Sequence, residues 1–446
     1  MFSALKHSYF AEQYRELFFQ KTEEHKGRRC MITYSALAAI ITNISTGAFY
    51  SAFLLMYGIN LTNIGIIIMI PYITAPFSML SPIILSKFKK RKFILAIGRF
   101  LYYLLQIIGI TVIPTVISDS GTRIIAFAVT LFIANCINNI FFPGYTIWHW
   151  NFLPEKVRAG YFSQNAFITS LISNTLVLIF SIAADAVSGS EYEKTIIIGV
   201  RILAFIFAII ECIVLTLPKE YEYKTTHRPK LSDTFKIPVK NKLFLGCVLL
   251  YLGYALYFNL SNSVINAFLL SEVGVSYTMI YGLNAVYTLF FIFFSKFWQK
   301  KILKHGWITV FTYTTLMYGF TYILHMFIMP ENHLIIYPVT RIIQHAIGVG
   351  LNVTAANIYM MHLPDKDRET YIAFYQLANN FTLFIAMFIG TGAVALIGDK
   401  WFNLFGLPFH AVSVLLALQG VICFIVFFAG KKFSITEKQL INQIKQ

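Results

Sequence analysis

The chain has 446 residues, of which 57% are hydrophobic, 17% aromatic and only 13% charged. Soluble domains carry about 25% charged and about 45–50% apolar residues, so an ordinary water-soluble globule is excluded and lipid is the expected solvent. The formal net charge of +16 would suit nucleic acid or a membrane surface, and the positions of the basic residues argue for the membrane.

In chain order, residues 1–30 come first, polar and charged. They lack the apolar core and small-residue cleavage site of a secretory signal, so no cleaved signal is expected. This segment reads as cytoplasmic, either as an amphipathic helix on the membrane surface or as a solvated tail. Apolar runs of roughly 17–25 residues can cross a bilayer. Twelve follow, near 31–57, 62–85, 93–117, 123–148, 161–187, 194–217, 243–271, 275–298, 307–329, 334–362, 369–398 and 405–430. Several are interrupted by polar residues, as in "ITNISTG" and "NLSNSVIN". Helices facing only lipid do not need such residues, whereas helices lining a polar cavity do.

With a cytoplasmic N-terminus, 30 of the 36 Lys and Arg residues fall in the tails and the loops on one side. The opposite loops hold only Arg123, Lys194 and Lys400, and Arg99, Arg201 and Arg341 lie within spans. This is the positive-inside pattern for an even number of spans with both termini cytoplasmic. The basic loops face anionic lipid headgroups, and no nucleic-acid partner is expected. The five cysteines (Cys30, Cys136, Cys212, Cys247, Cys423) lie in or beside apolar runs without CxxC spacing. They read as small core hydrophobes, with no disulfide framework and no metal site.

The chain repeats itself. "SKFKKRK" begins at 86 and "SKFWQKK" at 295; "LPEKVRAGY" begins at 153 and "LPDKDRETY" at 363. The two offsets, 209 and 210, agree within a residue and fall after the second and fourth span of each half. "NIS…AFLL" in the first span is echoed by "NLS…AFLL" in the seventh. The expected plan is an all-α integral membrane protein with two pseudo-symmetric six-helix bundles, 31–217 and 243–430. A cytoplasmic linker at 218–242 joins them and a tail follows at 431–446.

On these features the sequence resembles the major facilitator superfamily of secondary transporters, over residues 30–430. Members typically carry G-x-x-x-D-[RK]-x-G-[RK]-[RK] between spans two and three. In "PIILSKFKKR", Pro82, Ser86 and Lys89 replace the two glycines and the acid, while Lys87, Lys90 and Arg91 keep the basic positions. The missing acid implies either a weaker inner gate or a substitute pair. "WNFLPEKVRAGYF" is similar to the family's Pro-x-x-x-Arg-Gly loop, with Ala159 inserted before Gly160. The resemblance implies a monomeric transporter in the plasma membrane (the inner membrane of a bacterium), rocking about a central site near the bilayer midplane. It implies spans 1, 4, 7 and 10 lining the cavity, and gating loops that contain Lys87, Lys90, Arg91, Arg158, Lys296 and Arg368.

Within that frame Arg341, His345 and Asn352 share one face of span 10, with Gly348, Ala355 and Ala356 leaving room beside them. A charge in mid-span costs at least about 2.5 kcal/mol and usually marks a cavity. A guanidinium fork fits carboxylate or phosphate; the competing reading is a structural arginine that snorkels or bonds carbonyls. Asn43 and Tyr50, Asn135 and Asn138, Asn259 and Asn262, and Gln376 are further candidate contacts for a small polar solute. The same amides can instead bond helix to helix. Asp185 and His345 are the candidate proton carriers; coupling to a proton, to sodium or to no ion is open. Glu211 and Arg201, ten residues apart on one helix, do not share a face and read as structural or interfacial. The function expected is transport of a small polar or anionic solute with no cofactor. The alternatives are multidrug-type efflux of amphipathic compounds, a transporter-like sensor, or a polytopic membrane enzyme. The last lacks HExxH, G-x-S-x-G and P-loop motifs.

Overall fold

In the computed structural model, residues 18, 22–150, 152–153, 155–220, 231–364, 368–404 and 406–445 are described. Helix α1 (Glu23–Ser45) starts at Thr22, whose hydroxyl accepts from the His25 amide, and Glu23 and Glu24 occupy its first turn. Carboxylates there complement the helix dipole. The run expected over 31–57 is not one helix. It stops at Thr46, which is extended, and restarts at Gly47 (φ 60°) as α2 (Gly47–Met56). The second run is also divided, into α3 (Leu61–Ile73), a 3-10 turn (Ala75–Leu80) and α4 (Ser81–Leu85). Pro71, Pro76 and Pro82 each remove an amide donor there. Then follow α5 (Lys92–Tyr103), a π segment (Leu104–Gly109), α6 (Ile110–Val116), α7 (Ser120–Trp150), α8 (Glu155–Asp185) and α9 (Glu193–Thr216).

Past the linker come α10 (Leu231–Lys240) and α11 (Lys242–Asn259). A turn at 260–264 leads to α12 (Ile265–Phe268) and a second π segment (Leu269–Val273). The two polar motifs "ITNISTG" and "NLSNSVIN" are therefore both helix breaks, at corresponding places in the repeat. The chain continues as α13 (Tyr277–His305), α14 (Trp307–His325), α15 (His333–Ile358) and α16 (Arg368–Ile397). A hairpin of β1 (Phe402–Leu404) and β2 (Leu407–Phe409) precedes α17 (Ala411–Lys445). The twelfth run thus begins at Ala411 rather than 405, because Gly406 (φ 78°) and Pro408 favour the hairpin. The second basic stop, at 295–301, is not a loop. It continues α13 to Gly306 (φ 84°), the first residue able to end that helix.

Among the described residues, eleven helices are long and apolar enough to cross a membrane. The other expected span, α14, has 19 residues but is diluted by threonines and tyrosines. Three of its hydroxyls are already satisfied inside the helix: Thr312, Thr314 and Thr321 donate to the carbonyls of Ile308, Val310 and Tyr318. A hydroxyl bonded to its own backbone adds little desolvation cost in lipid.

The chain divides into two compact units, Met1–Tyr57 with Thr74–His227, and Gly58–Ile73 with Arg228–Gln446. In the first unit α1 packs on α8 and α9, and α5 on α7. In the second, α14 packs on α15 and α17, α13 on α15, and α16 on α3 and α11. The break in α11 sets one tight constraint, since a Cβ at Gly390 on α16 would fall on the Leu260 carbonyl oxygen. Gly390→Ala is expected to destabilise the protein by about 1–3 kcal/mol, the usual cost of overpacking. Thermal unfolding in detergent reads this, and an unchanged midpoint would mean that the turn yields freely.

Candidate functional site

The second unit holds a polar constellation built on α11, α13 and α15. Arg341 is half-buried. Its Nη2 donates to Asn284 Oδ1 at 2.7 Å and its Nη1 to Gln344 Oε1 at 3.0 Å. Its Nε is buried without a partner. Among the described residues no carboxylate pairs with it. One turn on, His345 is buried with its ring 5.4 Å from that of Tyr287, and its Nε2 has no partner. Asn352, two turns further, joins two phenols. Its Nδ2 donates to Tyr287 Oη at 2.8 Å and its Oδ1 accepts from Tyr254 Oη at 3.1 Å. A Cβ at Gly348 would be in ordinary van der Waals contact with Tyr318 and Tyr287, at 3.7 and 3.8 Å. By contrast, Gly350 lies against the Trp298 ring, whose Nε1 donates to the Ala346 carbonyl at 2.9 Å. The arrangement presents cationic and neutral donors with no built-in anion, framed by aromatic rings.

The structure thus gathers Arg341, His345 and Asn352 and adds Asn284, Tyr287 and Gln344. Asn284 and Tyr287 lie three residues apart on α13, a spacing that places them on one helix face. That was the available signal for them, but an Asn and a Tyr in an aromatic-rich span do not stand out. The remaining amides of this unit lie differently. Asn259 Nδ2 donates to its own helix at Ala255, Asn262 donates to Asn259, and Gln376 is exposed.

In the first unit the expected amides bond to neighbouring helices, Asn135 also to its own helix. Asn43 donates to Ser173 Oγ at 2.7 Å, and Asn135 to Leu131 O and Gln106 Oε1 at 2.8 and 3.4 Å. Asn138 Oδ1 accepts from Arg99 Nη1 at 3.1 Å. Arg99 in turn forms a buried ion pair with Glu211 at 3.0 Å, and Tyr103 Oη donates to the other carboxylate oxygen. Tyr50 is buried against Arg201, and Asp185 is half-buried near the end of α8. On α8 the sequence reading passed over Gln164, which is fully buried with neither amide atom bonded. Along the same face Tyr161, Asn165 and Thr169 each have a buried oxygen without a partner. Their spacing of four could have flagged the row.

Of the gating residues, Lys87, Lys90 and Lys296 are exposed. Arg91 Nε donates to the Phe88 carbonyl at 3.3 Å. The side chains of Arg158 and Arg368 lie outside the described residues. At the end of the basic loop, Glu220 Oε1 accepts from the Lys92 amide at 2.7 Å, and Lys92 Nζ donates to the Pro218 carbonyl at 3.0 Å. A carboxylate from the linker therefore caps α5 close to the loop that lacks its own acid.

The chain is similar over 91% of its length to a variant of the nucleoside transporter NupG, of which 99% is covered, with a TM-score of 0.68 and 10% identity. It is similar to a bacterial homologue of the iron transporter ferroportin in an inward-facing state, with a TM-score of 0.66, 13% identity, and 91% and 98% covered. A D-xylose–proton symporter gives a TM-score of 0.62 at 12% identity, with 92% and 97% covered. The fold is that of the major facilitator transporters. With this fold and its long apolar helices, the chain is a multi-pass membrane protein. No family model and no curated sequence matches it, so the likeness is one of fold, and the solutes named for those structures belong to those proteins.

Proposed function

We propose that this protein is a secondary transporter that moves a small anionic or polar solute across the plasma membrane, or the inner membrane of a bacterium. The bundles 31–217 and 243–430 rock in alternating access, with both termini in the cytoplasm and α14 as the twelfth span. The observation that carries the solute class is Arg341: a guanidinium in a membrane span, held by two neutral amides, with one donor unsatisfied and no carboxylate paired to it among the described residues. Such a charge is expensive in a bilayer unless a ligand or a hydrated path uses it. Asn352, Tyr254 and Tyr287 supply hydrogen bonds for the uncharged part of the solute. The protein acts as a monomer, and His345 and Asp185 are the groups through which a proton would couple. The rings of Tyr254, Phe258 and Tyr318, packed 5.3 to 6.2 Å apart, favour amphipathic compounds as the second reading.

The test is thermal stabilisation of the purified protein by a panel of small organic anions, sugars and lipophilic cations. A ligand that binds the native state raises its unfolding midpoint by mass action, by about 2.7 kcal/mol at a hundredfold excess over Kd. Stabilisation by an anion supports the first reading. Stabilisation by lipophilic cations alone overturns it in favour of the second.

A further inference from the structure

The first unit contains a buried guanidinium with no carboxylate partner among the described residues, in a setting unlike that of Arg341. Arg201 is only 1% exposed. It lies eight residues into α9, about 12 Å along the helix at 1.5 Å per residue, well within the hydrocarbon depth of a bilayer. One edge of its fork is used. Nε donates to Thr111 Oγ1 at 2.8 Å, and Nη2 reaches the carbonyls of Gln106 and Ile107, each at 3.3 Å. Those two carbonyls belong to the π segment 104–109, where the widened turn weakens the normal helical ladder. The other edge is not used. Nη1 is buried and has no partner.

Beside it lie two rings of α2, with the guanidinium carbon 4.5 Å from the Phe53 centroid and 5.3 Å from that of Tyr50. The Tyr50 hydroxyl is also buried without a partner, on a residue 4% exposed. Nη1 and the Tyr50 hydroxyl are therefore both buried and unpartnered, on a guanidinium and a ring 5.3 Å apart, and both are able to donate. No carboxylate pairs with Arg201 among the described residues. Ring faces offset only part of the cost of burying a cation. The charge is not balanced by its protein neighbours. A water molecule would accept hydrogen bonds there but would leave the charge uncompensated. The helix break at Thr46 and Gly47 lies one turn before Tyr50. Irregular backbone at membrane depth is tolerated where it lines a cavity or is buried in protein.

We propose that Arg201 Nη1 and the Tyr50 hydroxyl bind a small inorganic monoanion of chloride size, held between α2 and α9 and distinct from the solute handled at Arg341. The anion neutralises the buried guanidinium and stabilises the first unit.

The experiment uses purified full-length protein in sodium gluconate, with chloride or bromide replacing gluconate at constant ionic strength. The unfolding midpoint is expected to rise with halide and to saturate. Tyr50→Phe removes one donor without opening a cavity, and should raise the half-saturating chloride about tenfold, the worth of one hydrogen bond to a charged group. Arg201→Gln should abolish the response, and Arg341→Ala should keep it. A wild-type midpoint that does not change between gluconate and halide overturns the proposal and leaves water as the occupant. So does a halide response that Tyr50→Phe leaves unchanged, or one that disappears in Arg341→Ala. Should Arg201→Gln fail to fold, Tyr50→Phe decides the matter alone.

Discussion

Replacing Glu211 by alanine is expected to lower the stability of the protein by about 3–5 kcal/mol, the usual cost of removing one partner of a buried ion pair. Glu211 is fully buried on α9 and Arg99 is 9% exposed on α5. The loss would leave a guanidinium ringed by Tyr34, Tyr102, Tyr103 and Tyr145, at 4.7 to 5.7 Å, with Asn138 still accepting from it. Tyr103 would lose its acceptor as well. Four ring faces do not replace a carboxylate, because each contributes about 0.5–2 kcal/mol and the uncompensated charge costs more. The single variants and the pair must therefore be strongly non-additive. Arg99→Met combined with Glu211→Leu should recover most of the stability lost by Glu211→Ala, since well-packed apolar residues often equal or exceed a buried pair. Unfolding followed through a thiol-reactive fluorophore suits the measurement, because Cys212 and Cys423 are free and buried. Additive losses in the double variant, or a Glu211→Ala midpoint equal to wild type, would remove the pair from the account of stability.

That pair also marks the limit of what the chain discloses on its own. The ten-residue spacing is enough to separate Glu211 from Arg201, because both lie on α9 and their angular offset follows from 3.6 residues per turn. The actual partner comes from α5, 112 residues away, and no local rule connects them. The repeated loops and the polar interruptions were legible for the opposite reason. Bilayer thickness and backbone hydrogen bonding act on each span separately, so their consequences are written locally. "ITNISTG" and "NLSNSVIN" read as cavity-facing interruptions, and the structure makes them breaks in α1–α2 and α11–α12. The second basic stop was less legible. Lysines mark a cytoplasmic boundary by charge, but they are good helix formers, and α13 runs through them. The constellation around Arg341 was half legible. The i, i+4, i+11 spacing of Arg341, His345 and Asn352 is a property of α15 alone. Asn284 and Tyr287 enter by the packing of α13 on α15.

Arg341→Ala is expected to weaken binding of the anionic solute by about 2–5 kcal/mol, the cost of truncating one partner of a buried hydrogen-bonded charge pair; this is a loss of at least about thirtyfold in affinity. Arg341→Lys separates charge from geometry. A lysine keeps the positive charge as a point, but it cannot donate to Asn284 and Gln344 while presenting a planar edge to a ligand. If recognition rests on the fork, lysine falls close to alanine; if it rests on charge alone, lysine stays close to wild type. Stability must be read beside affinity, because Arg341 is itself bonded to Asn284 and Gln344. Those bonds are to neutral amides, so their removal frees two side chains and strands no ion. Arg341→Ala should accordingly fold with a midpoint near or above wild type in the absence of solute. This is the reverse of the Glu211 case, where the variant strands a charge. A variant that unfolds without solute would make Arg341 a structural group, whereas one that folds but no longer gains stability from any anion would make it the anchor. Transport into proteoliposomes then completes the distinction. Loss of anion uptake with intact folding is the expected result, and unchanged uptake would exclude Arg341 from the site.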